Sequence, residues 1–282
     1  MTDSLTLKSP AKLNLFLHIT GRRADGYHEL QTLFQIIDYC DVLHVVTTDS
    51  TDEQKDALIL QCDNPALTGD DNLILRAARA LRNHTGCTSG ASITLEKHIP
   101  MGAGLGGGSS NAATTLVALN QLWRTGLDVA ALCDIGVRLG ADVPLFVRGE
   151  SAWAEGIGEI LTPVDLPPKI YAVITPNCHV STEAIFSNQQ LTRNTTAIKM
   201  AAFLDGQTRN DCENIVRRLY PPVDEALNWL NQHAPARMTG TGASVFAAFD
   251  REDEALDVVS RIPVDMKGFV AKGLQRSALS GT

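Results

Sequence analysis

A short glycine-rich stretch offers the clearest chemistry in the sequence. Residues 102–108 contain five glycines, two serines follow them, and the next residues form an apolar run suited to a packed helix. Glycines let a backbone approach a phosphate closely, and the free N–H groups and positive dipole end of a helix attract negative charge. The stretch therefore predicts a phosphate site made of Pro100, Met101, Gly102, Ala103, Gly104, Leu105, Gly106, Gly107, Gly108, Ser109, Ser110 and Asn111.

Other interpretations of this loop remain open from the residues alone. It is not a Walker A loop, because no Gly-Lys-Ser/Thr closes it. Gly102, Gly104 and Gly107 do match the G-x-G-x-x-G pattern of a dinucleotide fold. The acidic residue expected about 20 positions later is missing, since the nearest candidate, Asp128, opens a helix. A glycine-rich turn that binds no ligand is the second alternative.

A second group of polar residues lies near the N-terminus. Leu13, Leu15 and Leu17 alternate with Lys12 and Asn14, which predicts a half-buried strand over residues 5–18. Lys12 and Asn14 share one face of that strand. They therefore point the same way, either toward a cleft or toward water.

The elements that position these residues follow from periodicity and turn residues. The N-terminal quarter is predicted to be mainly β, and Asp71 precedes a helix of about ten residues. A strand, the glycine loop and a helix then follow in that order. Asp128 is expected to cap a further helix that Gly140 ends, and a domain boundary is expected near residues 160–168. Strands are predicted at 5–18, 30–37, 42–48, 57–62, 91–96, within 144–160, and at 171–175, 244–249 and 267–272, with C-terminal helices at 182–190, 196–205, 211–219, 222–233 and 252–261.

Composition restricts the classes of protein. With 282 residues, 44% of them hydrophobic and 20% charged, the chain can build a sizeable core without disulfides. The net charge of −8 and the absence of basic runs argue against nucleic acid as a partner. The six cysteines show no zinc spacing and are expected to be reduced. Neither a signal peptide nor a membrane span is expected, so we predict a soluble, cytoplasmic protein.

Three separated motifs resemble one known superfamily. Residues 100–113 resemble the phosphate-binding signature of the GHMP kinases, and residues 9–15 and 239–246 are similar to the first and third motifs of that superfamily. The resemblance implies an α+β, two-lobed fold. Its N-terminal ATP-binding domain, of the ribosomal-S5-domain-2-like type, would comprise residues 1–162, and a ferredoxin-like C-terminal domain would comprise residues 163–282.

A closer resemblance within the superfamily runs through residues 11–15, 23–28 and 139–144. These segments resemble the branch that uses ATP to phosphorylate the 2-hydroxyl of a cytidine-diphosphate-linked methylerythritol in non-mevalonate isoprenoid synthesis. By this resemblance Asp142 is the catalytic base and Lys12 pairs with it. His28 would hydrogen-bond the cytosine edge, while Tyr27 and Phe186 would stack on its two faces. From the residues alone, Asp142 could equally shape a turn, and Tyr27 and His28 could be a buried aromatic and a surface histidine.

The resemblance completes the set of expected partners. ATP and magnesium are the expected cofactors, although no metal ligand is assigned, and a small molecule is the expected substrate of a monomer or homodimer. Lys97 and Asn72 would border ATP, with placement on the surface as the open alternative, whereas Asn14, Thr241 and Gly242 would join the substrate site. Two rivals remain open, namely another GHMP kinase with a different alcohol and a non-catalytic ligand sensor of the same fold.

Overall fold

The computed structural model describes residues 3–48, 56–204, 206 and 208–280. Within them lie ten strands, nine α-helices and one short 3-10 helix, which together give the mixed α and β content expected from the sequence. No helix in this part of the chain is long and apolar enough to cross a membrane.

The strands are β1 Ser4–Arg22, β2 His28–Thr47, β3 Leu58–Cys62, β4 Ala91–Glu96, β5 Ala152–Glu155, β6 Ile160–Pro163, β7 Ile170–Pro176, β8 Ala236–Met238, β9 Val245–Phe249 and β10 Met266–Leu274. The helices are α1 Leu73–Thr85, α2 Gly107–Leu122, α3 Val129–Gly136, α4 Val143–Arg148, α5 Thr182–Ser187, α6 Met200–Leu204, α7 Glu213–Leu219, α8 Pro221–Leu230 and α9 Glu252–Ser260, and the 3-10 helix is Pro65–Leu67.

Strand β2 connects the two halves of the sheet. It pairs antiparallel with β1 along most of its length, with β4 near its end, and with β10 at Ile36 and Ile37. Through β10 the order continues to β7, β9 and β8, all antiparallel. The sequence predicted two strands here, at 30–37 and 42–48. They form one strand because the ladder continues past an irregularity opposite Pro10 and Ala11.

The prediction that β1 is half-buried is wrong, because both of its faces are covered from Ser9 to Ile19 except at Leu15. Helix α2 packs against β1. The main chain of residues 209–211 lies along the strand, where Leu17 N donates to the Arg209 carbonyl at 3.0 Å and the Asp211 amide donates to the Leu17 carbonyl at 2.8 Å. The polar side chains between Ser9 and Ile19 on β1 therefore face the protein interior rather than bulk water.

Several element boundaries also differ from prediction. Residues 143–148 form helix α4 rather than a strand, because Pro144 suits the first turn of a helix and a five-residue apolar run has no decisive period. Helix α1 is capped by Asn72 rather than Asp71. The predicted cap at Asp128 is confirmed by a 2.8 Å bond from the Ala131 amide, although α3 ends at Gly136, before Gly140. The three-residue strand β8 was not predicted.

The hydrophobic core has three main parts. One lies between the N-terminal sheet and helices α1 to α4, and a second joins β7 and β9 to α7 and α8. The third combines both halves of the chain, since Leu13 and Leu105 pack there with Tyr171 and Phe246. Strand β1 thus contributes to the C-terminal core as well, through Leu17 and Ile19. The division into domains 1–162 and 163–282 stays a prediction. Strand β6, Ile160–Pro163, extends across the predicted boundary between residues 162 and 163.

Two glycine-rich loops contact each other at Gly104. The Ser244 amide donates to the Ala103 carbonyl at 3.1 Å, and the Thr239 hydroxyl donates to the Gly104 carbonyl at 3.4 Å. Gly104 has a φ of 75°, and a Cβ atom there would overlap the Thr239 carbonyl oxygen and lie 3.0 Å from that of Gly242. Glycine is therefore required here for both backbone conformation and space.

We predict that Gly104→Ala is more destabilising than Gly86→Ala, its matched control. Gly86 also has a positive φ, 71°, but a Cβ atom there meets nothing within 4 Å. The control should lower the free energy of unfolding by about 1–2 kcal/mol through backbone strain. Overlap with Thr239 should add about 1–3 kcal/mol at Gly104. Urea unfolding of both variants measures the difference, and equal losses would contradict the steric argument.

Candidate active site

A cavity of about 630 Å³ runs along the glycine-rich loop. Strands β1 and β2 form its floor, and the loop between β4 and α2 forms one wall. Residues from α5 and the 239–242 loop lie at its far end. Sequence-predicted residues that line it are Lys12, Asn14, Asn72, Lys97, Pro100, Met101, Gly102, Ala103, Gly104, Leu105, Gly106, Gly107, Gly108, Ser109, Asn111, Asp142, Phe186 and Thr241.

The loop presents unpaired amide groups to this cavity. Gly102 and Gly106 have φ values of 62° and 73°, as required for the chain to turn sharply into α2. The N-cap Gly106 carries no side chain, and no hydrogen bond in the described part of the chain uses the amides of Gly107, Gly108 or Ser109. These N–H groups stand at the positive end of a 16-residue helix. The predicted order of strand, loop and helix is confirmed, and the loop has the features of an anion site.

The two serines after the glycines are placed differently. Ser109 lines the cavity, whereas Ser110 is fully buried and its hydroxyl accepts from Ser9 Oγ at 2.9 Å. Ser9 in turn accepts from Thr114 Oγ1 at 3.0 Å. This hydroxyl network joins α2 to β1, and the expectation that Ser110 helps to bind phosphate stays a prediction.

Asn111 carries an unpaired polar atom inside the site. Its side chain is 3% exposed and lines the cavity, yet Oδ1 has no hydrogen-bond partner. A buried amide oxygen without a partner costs about 1–3 kcal/mol, so such atoms commonly meet a ligand or water.

Lys12 and Asp142 meet at the end of the loop. Lys12 Nζ lies 3.4 Å from Asp142 Oδ2 and donates to Asn14 Oδ1 at 2.5 Å. It also lies 5.2 Å from the centre of the Phe34 ring, within cation–π range. Lys12 is only 4% exposed, so its charge is taken out of bulk water and interacts strongly with these neighbours.

Asp142 is free to act on a ligand. It stands at the N-cap of α4, but its side chain makes no capping hydrogen bond, and the cavity reaches its carboxylate. The interpretation of Asp142 as a turn-shaping residue therefore lacks the hydrogen bond it needs. Asn14 is held beside the pair, because its Nδ2 donates to Thr32 Oγ1 at 3.0 Å and its amide donates to Thr239 Oγ1 at 2.9 Å.

Lys97 and Asn72 line the cavity with their hydrogen bonds already used. Lys97 Nζ donates to both Asp41 oxygens, at 3.1 and 2.9 Å, and to the Ile99 carbonyl. Burial lowers the pKa of Lys97, which the Asp41 carboxylate opposes. Asn72 caps α1 through a 2.9 Å bond from the Ile74 amide. Both residues shape the cavity wall, and no donor of Lys97 remains for a phosphate.

Asp41 is a residue that the sequence argument missed. It is fully buried on β2 and accepts bonds from the amides of His98 and Ile99, at 2.7 and 2.8 Å, besides the Lys97 ammonium. It thereby fixes the chain just before the glycine loop. An isolated aspartate in a strand carries no local motif, so only the fold reveals this role.

Of the three residues expected to contact the cytosine, only Phe186 lines the cavity, and Tyr27 and His28 lie beyond its rim. His28 is 9% exposed and stacks on Phe186, with ring centres 5.1 Å apart. Burial, Arg193 and Arg22 lower the pKa of His28. Phe186 lines the cavity, but Tyr27 is 61% exposed and neither Tyr27 nor His28 lines it. A base held between Tyr27 and Phe186, as the resemblance implies, would have to separate Phe186 from His28.

The third loop contributes different atoms than expected. Thr241 lines the cavity and its hydroxyl pairs with that of Thr182 at 2.9 Å. Gly242 does not line it, whereas Gly240 does. A Cβ atom at Gly242 would lie 3.1 Å from Met238 Sδ and 3.4 Å from Val216 Cγ1, so this glycine faces the interior side of the loop, and its place in the substrate site stays a prediction.

The site also suits a magnesium ion carried by a nucleotide. Among the described residues no cluster of three His, Cys, Asp or Glu side chains could hold a metal alone. Mg²⁺ commonly binds through phosphates, water and one or two carboxylates. The Ser109 hydroxyl and the unpaired Asn111 oxygen, both on α2, are oxygen groups that the cavity offers for such an ion.

Comparisons with known proteins agree with this geometry. The family model for the GHMP kinases N terminal domain matches residues 72–150, and that for the GHMP kinases C terminal matches residues 191–266. The chain is 53% identical over 272 residues to 4-diphosphocytidyl-2-C-methyl-D-erythritol kinase of Shewanella frigidimarina, covering 96% of this chain and 92% of that protein. It is 52% identical to the kinase of the same name from Hahella chejuensis, covering 98% and 95%. A crystal structure of 4-(cytidine 5'-diphospho)-2C-methyl-D-erythritol kinase superposes with a TM-score of 0.80 at 32% identity, covering 96% of this chain and 100% of that one.

The fold and the loop thus define a GHMP kinase, with both the N-terminal and C-terminal parts of that superfamily's α+β fold. Within the superfamily, the chain belongs to the family of the 4-diphosphocytidyl-2-C-methyl-D-erythritol kinases.

We predict that Asp41→Asn weakens both the fold and ATP binding. Removing the charge leaves the largely buried Lys97 ammonium without its partner, and losing one member of a buried ion pair costs about 3–5 kcal/mol. Asp134→Asn, on the exposed side of α3, is the matched control and should change stability by less than about 0.5 kcal/mol. Urea unfolding and the KM for ATP measure the two effects. A stability equal to that of the control would show that Asp41 does not anchor the loop.

Proposed function

We propose that this kinase transfers the γ-phosphoryl group of ATP to the 2-hydroxyl of 4-diphosphocytidyl-2-C-methyl-D-erythritol, with Lys12 and Asp142 at the point of transfer. The observation that carries the proposal is their 3.4 Å ion pair at the end of the amide-lined loop. A proton acceptor, a fixed positive charge and a phosphate site then lie along one cavity. These are the groups that phosphoryl transfer to an alcohol requires.

The proposed step gives each group one task. The Asp142 carboxylate accepts the hydroxyl proton while the substrate oxygen bonds to the γ-phosphorus. The bond from the γ-phosphorus to the bridging oxygen breaks, and ADP leaves with that oxygen. The Lys12 ammonium, almost excluded from water, stabilises the negative charge on the attacking oxygen.

The loop amides stabilise the phosphates in this proposal. The N–H groups of Gly107, Gly108 and Ser109 and the helix dipole of α2 provide positive potential in a chain whose net charge is −8. A magnesium ion bound with ATP would neutralise phosphate charge, and the Ser109 hydroxyl and the unpaired Asn111 oxygen are the groups that would hold it.

The cytidylyl end is proposed to lie at the rim, where Phe186 meets His28. An aromatic face favours a stacked base, and a histidine ring offers one donor and one acceptor. The names of the relatives support this placement, since each of them acts on a diphosphocytidyl alcohol. The substrate in the names of these relatives assigns the enzyme to non-mevalonate isoprenoid synthesis. We also propose that the enzyme is cytoplasmic, because its six cysteines are free thiols, the form that a reducing compartment maintains.

The test is ADP release with magnesium ATP and a panel of alcohols. We expect ADP only with 4-diphosphocytidyl-2-C-methyl-D-erythritol, and not with mevalonate, homoserine or galactose. Asp142→Asn should lower kcat by about 10² or more, the usual contribution of a general base. The control Asp134→Asn should leave kcat unchanged.

Other outcomes would overturn parts of the proposal. ADP release with a different alcohol would refute the cytidylyl substrate but retain the phosphate loop. Binding of ATP without turnover on any alcohol would favour a ligand sensor. Full activity in Asp142→Asn would remove Asp142 as the base.

A further inference from the structure

Arg193 contacts His28 in a way that the proposed reaction does not use. Its Nε donates to His28 Nε2 at 2.9 Å. The rest of the guanidinium is held by main-chain carbonyls of the segment that follows α5. These bonds reach Leu191 at 3.1 Å and both Phe186 and Asn188 at 2.8 Å. The arginine therefore has a fixed orientation against the histidine ring.

This contact dictates which nitrogen of His28 carries a proton. An arginine Nε–H is always a donor, so the nitrogen that faces it must offer a lone pair. A neutral imidazole has one protonated nitrogen, and with Nε2 as acceptor the proton is on Nδ1. No hydrogen bond in the described part of the chain uses Nδ1. His28 thus presents a free N–H donor beside Phe186, the residue that lines the cavity.

We propose that Arg193 is a positioning residue for base specificity, holding His28 as the Nδ1–H tautomer so that it donates to N3 of a cytosine. This inference rests on the proposed function, because it concerns how the same site distinguishes its substrate. Cytosine N3 is an acceptor, whereas uracil N3 carries a proton. A fixed donor therefore pairs with cytosine and leaves two N–H groups facing each other with uracil.

The charges around His28 act in the same direction. Arg193 and the exposed Arg22 on β1, which pairs with His28 across the strands, both disfavour a protonated imidazolium. Burial of the ring has the same effect. Glu29, the neighbouring acidic residue on β2, lies 3.8 Å from Arg23 instead. A neutral ring is required for Nε2 to accept from Arg193.

The simpler role for Arg193 is to hold the segment around Phe186 in place. That role would affect all ligands of the rim equally and would leave the His28 tautomer free to exchange. Arg193→Met removes both functions. Arg22→Met is the matched control, because it removes a nearby positive charge and leaves the bond to Nε2 intact.

The first measurement is the nitrogen spectrum of ¹⁵N-histidine-labelled protein without any substrate, with the His28 signals assigned from a His28→Gln variant. We expect an unprotonated Nε2 and a protonated Nδ1 in the wild type and in Arg22→Met, and exchange between tautomers in Arg193→Met. A wild-type His28 with the proton on Nε2 overturns the proposal, even if Arg193→Met does not fold.

The second measurement compares cytidine and uridine 5′-diphosphate as inhibitors competitive with the cytidylyl substrate. The wild type and Arg22→Met should prefer the cytidine compound, and Arg193→Met should lower that preference by about tenfold. Equal weakening of both inhibitors would assign Arg193 to segment support alone and overturn its role in specificity. Failure of the proposed function would show separately, as no ADP release with the cytidylyl substrate in a protein whose tautomer is as predicted.

Discussion

The burial of the Lys12 ammonium is the constraint on which the rest of the site depends. A charge with 4% exposure is stable only when other groups replace its water shell. Asn14 on the same strand, Phe34 on β2 and Asp142 at the start of α4 supply that environment. Each of these partners belongs to a different element, so the ion pair forms only when strands β1 and β2 and helix α4 are assembled. The catalytic geometry and the fold of the N-terminal half are therefore coupled.

The glycine loop is held by the same kind of coupling. Leu105 packs in the core shared by both halves, and its carbonyl accepts from the Lys12 amide at 3.0 Å. On the other side, Gly104 lies against the Thr239 carbonyl. The loop is thus held by apolar side chains and main-chain contacts up to Leu105, and its free amides lie directly after these anchors, in the first turn of α2. Such preorganised donors stabilise charge without reorganising during the reaction.

The sequence predicted the glycine loop and most elements, because those features are local. A run of glycines before an apolar helix predicts a sharp turn into that helix from adjacent residues, and Asp128 caps α3 through a residue only three positions away. The continuity of β2, the interior placement of β1 and the role of Asp41 depend on residues far along the chain. Ser109 and Ser110 are neighbours of identical type, and only the packing of α2 on β1 decides that Ser109 faces the cavity.

Lys12 and Lys97 illustrate why residue type alone does not identify a catalytic group. Both ammonium groups are largely buried, line one cavity and lie near an aspartate. Lys97 directs its donors at Asp41 and a carbonyl, so its charge is neutralised before any ligand arrives. Lys12 keeps a longer, single contact with a carboxylate that the cavity also reaches. The difference lies in the number of fixed acceptors around each nitrogen: a lysine saturated by the protein stabilises the fold, whereas one left short of acceptors is available to a substrate oxygen.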